Sequence, residues 1–569
     1  MPGNQKLGEL LVQKKIITQE QLDSALISQK KTNLRIGEEL IRSGIVSEEN
    51  IISNLAELMD IPFIRIRAAT VEQEVINKIP ARFVTHYNFF PLAEEEGSLR
   101  IAVSDPLDLY ALDEIKLVIK QPVKISLATS FEINEAIKRY YGVGAKTMAQ
   151  MVDDTPHLRI LSKTSDEDAE SQLQSESDDP SVIKFLDQVI QQAVRERATD
   201  IHIEPFEDNL RVRYRIDGLL YDVPVPAAIA HFQSSIIVRV KIMAEMDIAE
   251  KRLPQDGRIQ IRIDKEDFDF RVSILPTAFG ESVEIRILSR KQIFFTLSEL
   301  GLDIDGLDIL NTMIKKPHGI ILVTGPTGSG KTTTLYSCLN RINAMERKII
   351  TIEDPIEYKL HGITQIQIHP KINLSFSNGL RSMLRHDPDI MMVGEIRDLE
   401  TAELSIRTAL TGHLVFSTLH TNDAPGAIAR LLDMGIEPYL VASSLNCVIA
   451  QRLVRVICPA CKEPYKPHDE LMDEFGIHRG RFKENDLYKG NGCEGCKFTG
   501  YIGRTAIFEI LKIDDMVKEM ILDHSPSNLI KQKAIAAGMK TLRLSGWEKV
   551  VSGITTPEEV MRVTQQDSE

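Results

Sequence analysis

The stretch GIILVTGPTGSGKTTTLYSCL, residues 319–339, joins an apolar run to a glycine-rich turn and then to a helix-forming segment. Four residues separate Gly325 from Gly330, and Lys331 and Thr332 follow at once. This spacing lets consecutive backbone N–H groups surround a phosphate, with the lysine on the β/γ oxygens and the threonine hydroxyl on Mg²⁺. A merely structural glycine turn would leave Lys331 unexplained. The stretch therefore predicts a nucleotide-binding loop made of Gly325, Pro326, Thr327, Gly328, Ser329, Gly330, Lys331, Thr332 and Thr333.

Three segments further along the chain share one design, an apolar strand whose carboxyl end turns polar. They are KIITIEDPIE, DIMMVGEIRD and HLVFSTLHTND. Near-continuous apolar strands are typical of a parallel sheet covered by helices on both faces. Open parallel sheets bind ligands at the carboxyl ends of their strands. Together with the phosphate loop, the pattern predicts an α/β ATPase core.

The polar residues after these strands can be given roles in ATP hydrolysis. Glu395 is the candidate for positioning the attacking water, and His420 for sensing the γ-phosphate. Because Gly394 occupies the usual acidic position before Glu395, we expect metal support from Thr332 and nearby carboxylates. An isolated glutamate can instead be a helix cap, and a lone histidine only a polar neighbour. The other residues assigned to the site are Glu353, Asp354, Glu357 and His413.

The four segments GPTGSGKTTTLY, TIEDPIE, MMVGEIRD and HLVFSTLHTN resemble the nucleotide-site boxes of the secretion ATPase superfamily, the motors of type II secretion and type IV pili. The resemblance covers nearly the whole chain and implies a RecA-like ATPase core. It places Lys331 in the Walker A box, Glu357 in the Asp box, Glu395 in an atypical Walker B box and His420 in the His box. The Gly394-Glu395 pair is itself a trait of that family.

Four of the six cysteines form a second motif, Cys458-Pro-Ala-Cys461 and, thirty-one residues later, Cys493-Glu-Gly-Cys496. Two CxxC pairs offer four thiolates to one tetrahedral Zn²⁺. A disulfide would suit a secreted chain, but the opening sequence carries no signal-peptide pattern. Redox chemistry would not need two pairs. We expect a structural zinc in a hairpin over residues 455–500.

Composition is that of a large multidomain protein. The chain has 569 residues, 43% hydrophobic and 26% charged, which is enough for about four domains. No apolar run approaches the length of a membrane span. The net charge of −14 disfavours a protein that coats nucleic acid, although a local basic channel would not show in that sum. We expect a cytoplasmic protein that is peripheral to the inner membrane and contacts it through protein partners.

An internal repeat opens the chain. KLGELLVQKKIITQEQLDSAL from Lys6 and RIGEELIRSGIVSEENIISNL from Arg35 align at an offset of 29 and predict two helical hairpins in residues 1–61. The repeat resembles an N-terminal module that in some secretion ATPases binds cyclic di-GMP. Cyclic di-GMP binding and a docking role both stay open, because only the second copy keeps Arg35, Gly37 and Gly44 of that motif.

The rest of the chain divides by composition. Residues 62–145 predict a small α/β module, and residues 146–180 an acidic flexible linker. Residues 165–180 contain seven acidic and no basic side chains. Residues 181–290 predict a second, α+β domain, and residues 291–569 the ATPase domain with the zinc hairpin and C-terminal helices.

The α+β domain carries arginines at alternate strand positions. In RVRYRID, Arg213 and Arg215 share one face of a strand, and Arg271 and Arg286 occupy comparable positions later. Any one of them can be an ordinary solvated residue. A fixed guanidinium can also accelerate phosphoryl transfer by ~10³ or more. The family resemblance implies that this domain supplies arginines to nucleotide at domain or subunit boundaries.

The resemblance implies a hexameric ring that hydrolyses ATP and drives type IV pilus extension. Its expected partners are other copies of the chain, an inner-membrane platform protein and further pilus-machinery proteins at the cytoplasmic membrane face. The type II secretion motor has the same catalytic boxes; the paired N-terminal hairpins and long linker favour the pilus motor. A nucleic-acid translocase and a cyclic-dinucleotide sensor with incidental ATPase activity are alternatives of other classes. No nucleic-acid partner is expected.

Overall fold

The fold is taken from a computed structural model of the chain. It describes residues 7–32, 34–66, 71–79, 81–95, 97–119, 121–142, 180–263, 265–289, 295–466 and 487–565. Contacts divide the chain into two units, Met1–Arg290 and Lys291–Glu569. The predicted acidic linker lies outside the described residues except for Pro180, and so does the middle of the predicted zinc hairpin. The finer division into modules stays a prediction.

The first unit begins with the two predicted helical hairpins. Thr18 caps the second helix through a reciprocal pair: its hydroxyl accepts from Gln21 N at 3.3 Å, and its own N–H donates to Gln21 Oε1 at 2.8 Å. Ser47 caps the fourth helix by accepting a hydrogen bond from Asn50 N. The hairpin helices are α1 (Leu7–Gln13), α2 (Gln19–Thr32), α3 (Ile36–Arg42) and α4 (Glu48–Met59).

A small mixed sheet follows the hairpins. Strands β1 (Phe89–Glu95) and β2 (Ser98–Val103) pair antiparallel, and β3 (Val123–Leu127) adds in parallel to β2. The accompanying helices are α5 (Gln73–Asn77), α6 (Ala81–Tyr87), α7 (Leu109–Ile119) and α8 (Ser130–Tyr141). Phe89, Phe90 and Ile101 are fully buried, so this α/β segment has an apolar core.

Residues 180–289 form a six-stranded antiparallel sheet in the order β6-β5-β4-β9-β8-β7. One face buries Val212 and Tyr214 together with apolar side chains of helix α9, and the other face carries the arginines. The predicted alternation in RVRYRID is confirmed. The elements are α9 (Pro180–Arg195), β4 (Ala198–Pro205), β5 (Leu210–Ile216), β6 (Leu219–Val223), α10 (Gln233–Met243), β7 (Gln255–Ile263), β8 (Glu266–Thr277) and β9 (Gly280–Ser289).

The second unit is built on a seven-stranded sheet in the order β12-β11-β13-β14-β10-β15-β18. Strand β18 is antiparallel, and the others run parallel. Every residue of the four strands β10, β11, β13 and β14 is buried, as expected for a doubly covered parallel sheet. The strands are β10 (Gly319–Thr324), β11 (Ile349–Glu353), β12 (Thr364–Gln367), β13 (Ile390–Val393), β14 (Leu414–Leu419), β15 (Leu445–Ile457) and β18 (Tyr501–Lys512).

Helices cover this sheet, so the predicted α/β core with a RecA-like arrangement is confirmed. A short hairpin of β16 (Lys462–Pro464) and β17 (Tyr488–Gly490) projects beyond β15. The helices are α11 (Ile304–Met313), α12 (Lys331–Ile342), α13 (Phe376–Met383), α14 (Leu399–Leu410), α15 (Ala424–Asp433), α16 (Pro438–Ser444), α17 (Asp515–Leu522), α18 (Ser527–Ala536), α19 (Leu542–Val551) and α20 (Pro557–Val563). Within the described residues, no helix has both the length and the apolar character needed to cross a bilayer.

Candidate active site

The carboxyl ends of the central strands meet at one edge of the seven-stranded sheet. In the parallel register Thr324 lies beside Leu419, Val393 beside Ser417, and Ile352 beside Val393. The residues that follow these strands are the phosphate loop, His420, Glu395 and the Glu353 segment. The structure therefore brings together segments that lie up to about a hundred residues apart in the chain.

The phosphate loop connects β10 to helix α12 through tightly packed glycines. Gly325 has φ +151°, and a Cβ built on it would lie 2.6 Å from the carbonyl oxygen of Gln451. Gly330 has φ +89°, and its Cβ would lie 2.7 Å from Gln451 Nε2. Any side chain at either position would be strained. The Ser329 hydroxyl is buried and has no hydrogen-bond partner among the described residues. A glycine cradle with an unsatisfied donor fits a nucleotide phosphate.

Lys331 lies at the start of α12 and folds back onto the loop. Its Nζ donates to Gly325 O at 2.8 Å and to Pro326 O at 3.1 Å. Burial lowers the pKa of Lys331 to about 8, while the Glu395 carboxylate opposes that shift and the Arg452 cation adds to it. The ammonium group is thus held by backbone carbonyls at the place where phosphate oxygens would compete for it.

Glu395 and His420 are in contact. His420 Nε2 lies 3.4 Å from Glu395 Oε2, and the other Glu395 oxygen pairs with Arg397. Arg397 also lies 3.9 Å from Asp354, and its pKa is raised chiefly by the bond to Glu395. The Glu395 side chain is 16% exposed, which suits a carboxylate that must reach a water molecule. The structure thus brings Glu395 and His420 together, with Asp354 near Arg397, and their roles in hydrolysis stay predictions.

Glu353 is committed to protein hydrogen bonds. It accepts from Thr351 Oγ1 at 2.6 Å, from Gln365 Nε2 at 3.0 Å and from the Tyr336 hydroxyl. Burial raises the pKa of Glu353. Backbone groups of Glu357 also reach the Tyr336 hydroxyl. Glu353 therefore connects the phosphate-loop helix to β11, and its predicted contact with the metal stays a prediction.

His413 is the predicted site residue that the structure places elsewhere. It precedes β14, its carbonyl accepts from Gly319 N at 3.1 Å, and its Nδ1 lies 3.0 Å from Thr408 O. Gly319 is the first residue of β10, whereas the phosphate loop follows the last one. Because His413 and the loop lie at opposite edges of the sheet, the assignment of His413 to the nucleotide site was wrong.

Several residues that hold the site together were missed in the sequence. Thr421 N donates to Thr324 Oγ1 at 2.8 Å, which fixes the segment after His420 to the end of β10. Thr334 donates to Gln451 Oε1 at 2.7 Å and so connects α12 to β15. The sequence does mark Arg397, because it lies two residues after Glu395. Gln451 had no local signal.

The four predicted cysteine ligands come together. Their sulfur atoms all lie within 4.8 Å of one another, with Cys458–Cys493 at 3.7 Å and Cys461–Cys496 at 3.8 Å. Four sulfurs about 2.3 Å from one ion in a tetrahedron are about 3.8 Å apart, so the geometry fits zinc. All four are free thiols, which excludes the disulfide alternative in this structure. Closed ligation would leave no open position for catalysis.

The predicted arginines of the first unit lie on one face of the six-stranded sheet. Arg213 is bound in a bidentate pair by Glu204 at 2.8 and 2.7 Å. Asp200 lies between Arg286, at 2.9 Å, and Arg215, at 3.5 Å. Arg271 faces Arg286 directly in the β8–β9 register. The carboxylates that pair with these arginines include Glu204, Asp200 and Glu284.

The N-terminal repeat keeps its turn in both copies. Lys15 adopts φ +58° where Gly44 adopts φ +68°, so the lysine keeps the backbone of the missing glycine. Arg35 is ion-paired with Asp105. Lys6 lies outside the described residues.

Comparison with known proteins identifies the chain. A family model described as type II/IV secretion system protein matches residues 175–562. The chain belongs to this family. A second model, described as MshEN domain, matches residues 59–147. The chain is 42% identical to the type IV pilus assembly ATPase PilB of Myxococcus xanthus, over 99% of each chain. It is 42% identical to type II secretion system protein E of Xanthomonas campestris, over 98% of each chain.

Among solved structures, the chain is similar to the pilus retraction motor PilT with bound ADP. The identity is 26%, and the match covers 66% of this chain and 96% of that one, with a TM-score of 0.45. Family membership and the two full-length relatives make this chain a P-loop ATPase of the secretion and pilus type.

Proposed function

We propose that the chain hydrolyses Mg²⁺-bound ATP and converts the energy into type IV pilus extension. The observation that carries the ATPase part is the convergence of Lys331, Glu395 and His420 behind one phosphate loop. The observation that carries the pilus part is the relative named a type IV pilus assembly ATPase, which matches over 99% of both chains.

The roles follow from the chemistry of each side chain. Lys331 and the loop amides bind the β- and γ-phosphates, and Thr332, with Asp354 and Glu357, would hold Mg²⁺. Glu395 orients the attacking water and accepts its proton. His420, in contact with Glu395, responds to the presence of the γ-phosphate.

We assign the arginine row to charge stabilisation during phosphoryl transfer. Arg271 and Arg286 face each other across two strands, and Arg286 and Arg215 share the Asp200 carboxylate. Arg213 is the weaker candidate, because Glu204 binds it through both oxygens. Replacing Arg286 with glutamine should lower turnover at saturating ATP, with Arg211→Gln as the control. Arg211 lies on the same sheet and pairs with Asp222.

We propose that the motor works as a cytoplasmic hexamer on an inner-membrane platform protein. Sedimentation or light scattering with and without nucleotide tests the copy number. The ATPase rate with the purified platform protein tests the partner; stimulation supports the proposal, and stimulation by nucleic acid instead would favour a translocase. Cyclic di-GMP binding by the N-terminal repeat stays a prediction, tested by calorimetry on the full chain and on Arg35→Ala.

Zinc is the metal that we propose for the four cysteines. The sulfur separations match a tetrahedral thiolate site, and the ion would hold the β16–β17 hairpin to the end of β15.

A gene deletion distinguishes pilus extension from the second candidate, type II secretion. The second candidate is favoured by the Xanthomonas relative, which matches as completely as the pilus ATPase. We expect the deletion strain to lose surface filaments and keep its secreted proteins. Wild-type protein should restore the filaments, whereas Glu395→Gln should not. Loss of secreted enzymes with filaments intact would reverse the assignment.

A further inference from the structure

Arg452 is a buried cation that the proposed chemistry does not use. It lies on β15 and is 9% exposed. Nη1 donates to the carbonyl oxygen of Gln451 at 3.0 Å, and Nη2 donates to Asn422 O at 2.9 Å, with Asn422 Oδ1 at 3.4 Å. Within the part of the chain that the structure describes, it forms no ion pair at 4.0 Å or less. Buried charges are normally paired, so this exception requires a reason.

The position of Arg452 supplies that reason, because its guanidinium lies against the phosphate loop. A Cβ built on Gly325 would lie 3.1 Å from Arg452 Nη1 and 2.6 Å from the Gln451 oxygen that accepts from it. The β10–β15 register places Thr324 beside Ala450, and the loop therefore begins next to Gln451 and Arg452.

The Nη2 nitrogen of the guanidinium reaches the segment that follows β14. Asn422 lies two residues after His420, and the intervening Thr421 is bonded to Thr324 at the end of β10. One rigid planar group thus connects the first glycine of the phosphate loop with the segment that carries His420. A lysine would have to make both contacts from one nitrogen, whereas the guanidinium makes them from two nitrogens in a fixed plane.

Among the described residues, the carboxylates near the loop do not pair directly with Arg452. The Arg452 cation lowers the pKa of Lys331, and Glu395 is the carboxylate that acts on Lys331 in the opposite sense. Asp423 and Glu509 act on Arg452 only from beyond ion-pair distance. A nucleotide phosphate chain would supply the missing negative charge, and ATP would supply more than ADP.

We infer that Arg452 is a positioning residue of the nucleotide site, whose buried charge favours a triphosphate in the loop and whose two terminal nitrogens hold the Gln451 carbonyl beside Gly325 and the Asn422 carbonyl in register. The inference rests on ATP binding at the phosphate loop and is independent of the machine that the motor drives.

Arg455 offers a matched control. It lies three residues further along the same strand, and its side chain is 14% exposed. Unlike Arg452, it has a carboxylate of its own, Glu559 at 2.9 and 3.1 Å, and it stacks on the Tyr501 ring. Removing Arg455 should therefore affect stability and leave nucleotide preference unchanged.

The test uses the full chain with Arg452→Met, Arg452→Gln and Arg455→Gln. Binding of ADP and of a non-hydrolysable ATP analogue is titrated with Mg²⁺ present, and thermal unfolding is recorded without nucleotide. Methionine removes an uncompensated buried charge, so Arg452→Met should melt at or above the wild-type temperature. Its affinity for the ATP analogue should fall about tenfold, and its affinity for ADP should fall less.

Three outcomes decide the inference. The inference is overturned if Arg452→Met keeps its affinities for ADP and for the ATP analogue within about twofold of wild type, whatever its melting temperature. An equal loss of affinity for the ATP analogue in Arg455→Gln would also overturn the inference. The loss would then follow from disturbing β15 and not from removing the Arg452 charge. Lys331→Ala that binds nucleotide normally would instead refute nucleotide binding at the loop, a different failure.

Discussion

Replacing Glu509 with glutamine should change how the stability of the ATPase unit depends on pH. Glu509 lies on β18 and is 1% exposed. Its carboxyl group accepts from Ala424 N at 2.8 Å and Leu542 N at 3.3 Å, which are amides at the first turns of α15 and α19. Its charged neighbours are Lys531, Asp423 and Arg452.

The size of the change in the free energy of unfolding follows from the pKa shift of Glu509. Burial raises the pKa of Glu509 from 4.5 to about 7, against the opposing effect of the two amides and Lys531. Because the folded pKa is raised, the stabilising contribution is fully present below pH 4.5 and is lost as the pH rises through about 7. The total change is roughly 3 kcal/mol, of which roughly 2 kcal/mol falls between pH 5.5 and 8.

The assay compares thermal unfolding of wild type and Glu509→Gln from pH 5.5 to 8. Glutamine cannot ionise; its amide has two N–H donors and one acceptor oxygen, so it keeps one of the two backbone hydrogen bonds and loses the other equally at every pH. We expect the variant to gain roughly 5 °C relative to wild type across this range. If the melting temperatures of wild type and Glu509→Gln differ by the same amount at every pH, the argument is refuted, since Glu509 would then ionise normally within the fold.

Glu559→Gln is the control of opposite sign. Glu559 is also buried, but Arg562 and Arg455 outweigh its burial and lower its pKa. A carboxylate with a lowered pKa stabilises the fold at pH values above its unfolded pKa. That contribution is lost as the pH falls through its folded pKa. This variant should therefore lose stability relative to wild type as the pH rises from the lowered folded pKa through 4.5.

The remaining predictions concern the nucleotide and metal sites. Lys331→Ala should weaken nucleotide binding roughly tenfold to a hundredfold by equilibrium titration, because a charge-assisted contact to phosphate is lost; unchanged affinity would remove Lys331 from the site. Glu395→Gln should bind ATP normally and hydrolyse it roughly 10²- to 10⁴-fold more slowly, and equal turnover would exclude Glu395 as the residue that positions water. Cys461→Ser should lose zinc by elemental analysis and destabilise the hairpin; less than one zinc per two chains in fresh wild-type protein would contradict the zinc assignment.

Much of the candidate site was predictable because its signals are local. The glycine spacing, the two CxxC pairs and the alternation of RVRYRID each lie within a few residues, and backbone geometry converts such spacing directly into structure. The parallel sheet then brings successive strand ends to one edge, so Glu395 and His420 could be placed near Lys331 before any distance was known.

The histidines of one strand show where this reasoning failed. His413 and His420 flank β14, a strand of six residues whose two ends are about 20 Å apart. Only the end that faces the phosphate loop can contribute, and the direction of the strand decides which end that is. His413 lies at the other end.

The sequence by itself determined the elements whose chemistry is written in short spacings: the phosphate loop, the cysteine pairs, the helix caps and the apolar strands. Tertiary structure alone decided which distant residues meet. Gln451 and Arg452 lie more than a hundred residues after the loop that they contact, and Glu509 lies 85 residues from the amide of Ala424. No local pattern marks such partners, because their role depends on burial and on the charges that the fold places around them.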